Sequence, residues 1–183
     1  LVDSLLHGRG RGINGGDHCI SNFELTDQLN QKISKKLLYN KIVVANFFFV
    51  SCPSICPKMT QNLLTIHRQY IEDSSLLILS HTVWPEVDQV PLLFSYAEKY
   101  DVNHNSWRFL TGKKEELYRL ARQDYLAAPD INDPNFQHGS DADFIHTENI
   151  VLLDTKQRIR GYYNGTDSLE MDRLLEDIEI LKN

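Results

Sequence analysis

Three cysteines in 183 residues are too few for a disulfide scaffold, and their odd number leaves at least one thiol over. So low a count fits a site better than a framework. The chain also lacks any stretch approaching the ~18 apolar residues of a membrane-spanning helix. It has no internal repeat and no second composition regime, so one domain is expected over residues 19–183. Its 19 basic residues are scattered, and against 25 acidic ones they leave a formal net charge of -6. There is thus no electrostatic footprint for nucleic acid or for an anionic membrane surface. Metals, small molecules and proteins remain as partner classes. The first residue is Leu1 rather than methionine, which reads as a processed or trimmed chain that has lost an N-terminal signal or anchor.

What is present is a real core: 42% hydrophobic residues, 10% of the chain aromatic, sufficient to fold without staples. Residues 1–18 are glycine-rich and read as a flexible lead-in or the remnant of a tether. They contain a literal GxGxxG at Gly10, Gly12 and Gly15, but no strand precedes it, so a tether is the better reading than a dinucleotide site. Patterning then gives a short strand at 23–26, a polar turn at 27–30 and a strand at 42–50 that is apolar almost without a break. A helix follows from Pro57, with Met59, Leu63, Ile66 and Tyr70 as its apolar stripe. Next come a buried strand at 75–82, a helix at 87–100, a short strand at 107–110 and a helix at 113–123. Residues 127–143 carry no periodicity and form a loop of a length usually tolerated for functional reasons. Strands at 148–154 and 159–163 and an amphipathic helix at 168–181 close the chain. This order predicts an α/β protein with a thioredoxin-like fold: a central mixed sheet flanked by helices, with a terminal β-hairpin and helix.

The segment FFFVSCPSICP, residues 47–57, is the chemical centre of the sequence. With Pro57 at the first helical position, Cys56 falls at the N-cap and Cys52 in the loop before it. Both sulfurs then lie near the positive end of the helix dipole, which favours thiolate. The pair reads as a redox couple, a metal clamp or a structural disulfide, and spacing alone does not choose. Two thiolates with one further soft or borderline donor suit copper(I), and a histidine as that donor would hold copper(II) as well. Zinc prefers four ligands, and no second cysteine pair supplies them. Of the seven histidines, His146 is the most suggestive, because it closes the long loop and precedes a buried strand. The alternative for His146 is an imidazole capping that strand. His81 and His138 are runners-up, and His7, His18, His67 and His104 read as surface or tether residues. Cys19 reads as a small buried hydrophobe, a surface thiol or a residue near a trimmed boundary. Asn164-Gly165-Thr166 matches a glycosylation sequon but reads better as a tight turn.

Over residues 20–181 the sequence resembles the Sco/SenC family of copper-binding, thioredoxin-like proteins. Three stretches carry the resemblance: FFFVSCPSICPKMTQNL, with the family's Cys-x-x-x-Cys-Pro; WRFLTG at 107–112; and His146 leading into IVLLDTKQRIRGYYNGTD. The resemblance implies that Cys52, Cys56 and His146 ligate one copper ion, copper(I) and also copper(II). It implies tethering to a membrane outside the cytoplasm, on the periplasmic side, through an N-terminal anchor that this sequence does not include. The partner it implies is the copper-A subunit of cytochrome c oxidase or a similar cuproprotein, with the chain a metallochaperone rather than a turnover enzyme. The alternative is a thiol-disulfide reductase in which Cys52 and Cys56 act on cysteines of the oxidase or another extracytoplasmic partner. A peroxidase on the same fold would need a Pro-x-x-x-Thr-x-x-Cys arrangement that is absent, and a noncatalytic sensor of redox state or copper is the remaining class. The chain departs from the family in two places. In VWPEVD, Trp84 stands where the family commonly has an acidic residue, leaving Glu86, Asp88 and Asp143 as the carboxylates available to tune the site. Ile145 also precedes His146 where the family has an aspartate.

Overall fold

Ile42–Phe48 and Leu76–Thr82 are buried at every position, as strands covered on both faces must be. They belong to a seven-stranded sheet made of β1 (Glu24–Asp27), β2 (Lys32–Ser34), β3 (Ile42–Phe48), β4 (Leu76–Thr82), β5 (Trp107–Thr111), β6 (Asn149–Leu153) and β7 (Ile159–Asn164). The computed structural model describes residues 18–128, 145 and 147–183. The glycines of the expected lead-in, residues 129–143 of the expected loop, His138 and His146 lie outside the described residues. The helices are α1 (Ile55–Gln69), α2 (Val90–Lys99), α3 (Lys114–Arg119) and α4 (Ser168–Lys182).

Strand order is β2-β1-β5-β4-β3-β6-β7. β3, β4 and β5 run parallel, while β1 is antiparallel to β5 and β6 to β3, so the sheet is mixed as the element order implied. Period-two alternation divides β3 between two cores. Ile42, Val44 and Phe48 meet the buried stripe of α1, together with α2 and α4, whereas Val43, Ala45 and Phe47 meet Leu117, Tyr118 and Leu120 on the other face. The expected stripe is present: Met59, Leu63, Ile66 and Tyr70 are all buried. Each such side chain taken out of water stabilises the fold by about 1.5–3 kcal/mol. A polar thread crosses the centre of the sheet, where the Trp107 indole N–H donates to Ser80 Oγ at 2.9 Å and Ser80 donates to Asn46 Oδ1 at 2.6 Å.

Several boundaries differ from the sequence reading. β2 was not legible, because three residues are too short to show a period; it is set by the preceding turn, where Asp27 Oδ1 accepts from the N–H groups of Leu29 and Gln31. α2 begins at Val90 rather than 87, because residues 84–88 close a turn in which the Val87 and Asp88 N–H groups donate to the Trp84 carbonyl. α3 runs on into a π-helical turn, Leu120–Asp124. His67 is a core residue rather than a surface one, its Nε2 accepting from the Asn103 N–H at 3.0 Å. Gly165 does turn the chain, and its place is fixed by close approach: a Cβ there would lie 2.9 Å from both Met59 Cγ and Ile150 Cδ1.

Candidate metal and redox centre

β3 delivers its last residues to the start of α1, and the two cysteines sit in that connection. Phe49 and Val50 are half-buried, and the Cys52 N–H donates back to the Phe49 carbonyl at 3.2 Å, which turns the chain. The helix starts earlier than the sequence suggested. Ser54 is the N-cap and Ile55 the first helical residue, so Cys56 and Pro57 are the second and third. A proline anywhere in the first turn is tolerated, because those N–H groups have no intrahelical acceptor, and Pro57 therefore did not mark the start. The Ser54 side chain makes no capping bond. Its role falls to a sulfur: the Cys56 N–H donates to Cys52 Sγ at 3.4 Å.

Both cysteines are free thiols, Cys52 7% and Cys56 2% exposed. Their environments push them in opposite directions. Burial raises the Cys52 pKa, but hydrogen bonds from the Cys56 thiol and from the N–H groups of Ser54, Cys56 and Ile55 outweigh it, and the net shift is downward. Burial, followed by the hydrogen bond to Cys52, pushes Cys56 up to about 12. The pair is therefore one thiolate-prone sulfur held against one protonated sulfur. Two adjacent soft donors, one readily ionised, fit a soft monovalent metal ion, and the same arrangement suits a nucleophile with a resolving thiol.

Of the predicted site residues, Cys52 and Cys56 come together in the first core. His146 lies outside the described residues, but its neighbours in sequence are anchored. Ile145 is buried, and Thr147 Oγ1 donates to the Ala127 carbonyl at 2.8 Å, joining the two ends of the long loop. Asn149 Nδ2 donates to the same carbonyl at 3.1 Å. His81 does not join the cysteines. It packs in the second core, stacked on Phe47 with ring centroids 5.0 Å apart, and burial lowers its pKa to about 4. Cys19 is exposed and remote in the fold, donating to the Lys156 carbonyl at 3.5 Å beside β7. Among the described residues, no three His, Cys, Asp or Glu side chains gather as a metal site would require. Among the same residues, no helix is long and apolar enough to cross a membrane.

Three carboxylates were available from sequence to tune this site, and the structure separates two of them. Glu86 is exposed and pairs with Lys114 at 3.6 Å, whereas Asp88 is fully buried and bonded to the turn that leads into Cys52. Asp143 lies outside the described residues. Only burial and partner choice, which no spacing reveals, pick out Asp88.

Comparison with known proteins decides the family. The pattern described as SCO1/SenC matches residues 11–182, almost the whole chain. The chain belongs to the SCO1/SenC family. It is 26% identical over 159 residues to the SCO1 protein homolog of Bacillus subtilis (strain 168), covering 86% of this chain and 79% of that protein. Among solved structures it resembles BsSco, described as a member of the Sco family of cytochrome c oxidase assembly proteins in which a disulfide switch was identified. The TM-score is 0.74 at 23% identity, over 91% of this chain and 95% of that one. It also resembles Arabidopsis thaliana ScoI with copper bound, with a TM-score of 0.67 at 21% identity, over 88% and 98% of the two chains. At these identities the structural likeness establishes the fold, which is thioredoxin-like, as the order of strands and helices predicted.

Proposed function

We propose that this SCO1/SenC chain is a copper-binding assembly factor, with Cys52, Cys56 and His146 as ligands to one copper ion that it delivers to the copper-A centre of cytochrome c oxidase. The observation that carries the reading is the reduced pair itself: two free thiols at a helix start, with the Cys56 N–H bonded to the Cys52 sulfur and Cys52 the readier of the two to ionise. Family membership and the copper bound to Arabidopsis ScoI support it. A soft ion replaces the proton that the two sulfurs share, so uptake releases protons from the pair, and the N–H groups of Ser54, Ile55 and Cys56 offset charge left on Cys52. His146 supplies the borderline nitrogen donor from between the anchored residues Ile145 and Thr147. The full-length protein works on the extracytoplasmic side of a membrane, tethered by an N-terminal anchor.

The test is titration of the fully reduced protein with copper(I) from a chromogenic chelator, with ligation read by X-ray absorption at the copper edge. One ion per chain, two sulfurs and one nitrogen in its shell, and weaker binding by His146→Ala are expected. Absence of tight one-to-one binding, or binding unchanged in His146→Ala, overturns the reading. One observation favours a second activity, thiol-disulfide reduction of partner cysteines: the opposed shifts of Cys52 and Cys56 are those of an attacking and a resolving thiol. Reduction of a partner disulfide that survives His146→Ala and fails in Cys52→Ser is its signature.

A further inference from the structure

Asp88 follows β4, well separated in sequence from the cysteines, and is fully buried. Its Oδ2 accepts two hydrogen bonds, from the Val50 N–H at 3.2 Å and from Thr82 Oγ1 at 2.5 Å. Thr82 Oγ1 in turn accepts from the Trp84 N–H at 3.0 Å, and the Val83 N–H donates to the Phe48 carbonyl at 2.8 Å. The end of β4 is thereby sewn to the end of β3 just where the chain leaves the sheet for Cys52. Asp88 Oδ1, also buried, has no hydrogen-bond partner among the described residues. Burying a carboxylate costs several kcal/mol unless it is compensated. Here the side-chain compensation comes from two donors, both belonging to the β3 and β4 ends beside the dithiol. Burial accordingly raises the Asp88 pKa, against the two hydrogen bonds. A buried carboxyl that satisfies only these donors is placed for geometry, not for packing.

We propose that Asp88 is the positioning residue of the dithiol: through Val50 and Thr82 it holds the strand-to-helix turn in the conformation that keeps the Cys52 and Cys56 sulfurs facing each other. The inference rests on the reading of Cys52 and Cys56 as the working pair, and it needs neither copper nor His146. With the tie in place, closing the disulfide removes little further freedom from the turn, because that freedom is already gone in the reduced protein. Without it, ring closure must also order the turn.

The experiment is equilibration of a Cys19→Ser protein, free of metal, with mixtures of reduced and oxidised glutathione. The Cys52 and Cys56 thiols together lose two protons and two electrons to form one disulfide, and one oxidised glutathione takes them up as two thiol molecules. Asp88→Ala is expected to lower the equilibrium constant for disulfide formation about tenfold, ~30 mV for a two-electron couple. Asp88→Asn, whose amide oxygen offers an acceptor to the same two donors, is expected to stay within about twofold of the parent, as a positioning role requires. Should Asp88→Ala fail to fold, Thr82→Val and Thr82→Ser decide the matter: the valine shifts the constant in the same direction and the serine, which keeps the hydroxyl, does not. An unchanged constant in folded Asp88→Ala overturns the proposal, as does a shift in Asp88→Asn equal to that of the alanine, which would assign the effect to charge. Loss of copper binding in His146→Ala with this constant unmoved tests the copper reading separately.

Discussion

The backbone N–H of Cys56 donates to the sulfur of Cys52 across 3.4 Å, so that one cysteine caps the helix on which the other sits. This single contact explains why two residues of the same type four positions apart do not behave alike. Cys52 gathers donors from the opening turn, and Cys56 is inside the helix, with its own thiol spent on Cys52. The asymmetry serves both activities considered for the site, since a ligand that gives up its proton more readily and a nucleophile with a protonated partner are the same sulfur.

Alkylation should therefore discriminate between them. In a Cys19→Ser background at near-neutral pH, iodoacetamide is expected to modify Cys52 first and leave Cys56 as the thiol, as read by peptide mass mapping. The lowered pKa and slightly greater exposure of Cys52 act in the same direction. Preferential labelling of Cys56 would contradict the assignment.

His81 makes stability depend on pH. It is buried as the neutral imidazole, its Nδ1 3.3 Å from the Asn46 carbonyl, and its pKa falls from 6.5 to about 4 because burial outweighs the hydrogen bonds. A depressed histidine pKa means that the unfolded chain binds the proton more readily. The stability associated with neutral His81 is fully present above 6.5 and is lost as pH falls through the window down to about 4. Two and a half pKa units correspond to about 3 kcal/mol. Urea denaturation of wild type and His81→Phe across this window should show a steeper acid loss in the wild type; equal slopes would show that His81 is not the titrating group.

The sheet and the dithiol were legible in the sequence for particular reasons. The predominantly apolar runs of β3 and β4, broken only by Asn46 and by Ser80, His81 and Thr82, fit central strands, and a cysteine pair ahead of an amphipathic stripe fits a helix start. Other features left no local trace. β2 depends on the Asp27 turn rather than on its own residues. The first residue of α1 depends on which group caps it, and a sulfur is not a capping signal that spacing exposes. His81 looked like a candidate donor because it ends an apolar strand; the face it points to is decided by alternation with Ser80, which is on the cysteine side with Trp107. Asp88 could not be told from Glu86 by sequence because both follow Pro85 closely, and only their burial separates them.

Gly165 should be intolerant of a side chain. Its missing Cβ leaves room for Met59 of α1, and an alanine would meet Met59 Cγ and Ile150 Cδ1, each 2.9 Å away. Gly165 also has its N–H bonded to the Glu148 carbonyl at 2.8 Å, so the backbone does not retreat freely. Gly165→Ala is expected to destabilise the protein by about 1–3 kcal/mol, as overpacking does. Pairing it with Met59→Ala tests the contact: the double variant should be less destabilised than the sum of the two single ones, and strict additivity would mean that the two sites do not touch.

Trp84 should report on the dithiol. Its ring lies edge-on to Phe49 with centroids 6.2 Å apart, and the Phe49 carbonyl accepts the N–H of Cys52. The other tryptophan, Trp107, is fully buried with its indole fixed on Ser80. Closing the Cys52–Cys56 disulfide replaces two thiols by one S–S bond at the end of the turn to which Phe49 belongs, and the indole beside that turn is 37% exposed. Intrinsic fluorescence is therefore expected to change between the reduced and oxidised proteins, and Trp84→Phe should abolish most of that change while leaving the Trp107 emission constant. Persistence of the full change in Trp84→Phe would place the redox-linked response in the core around Trp107, whose indole is fixed on Ser80, instead of at the rim of the cysteine turn.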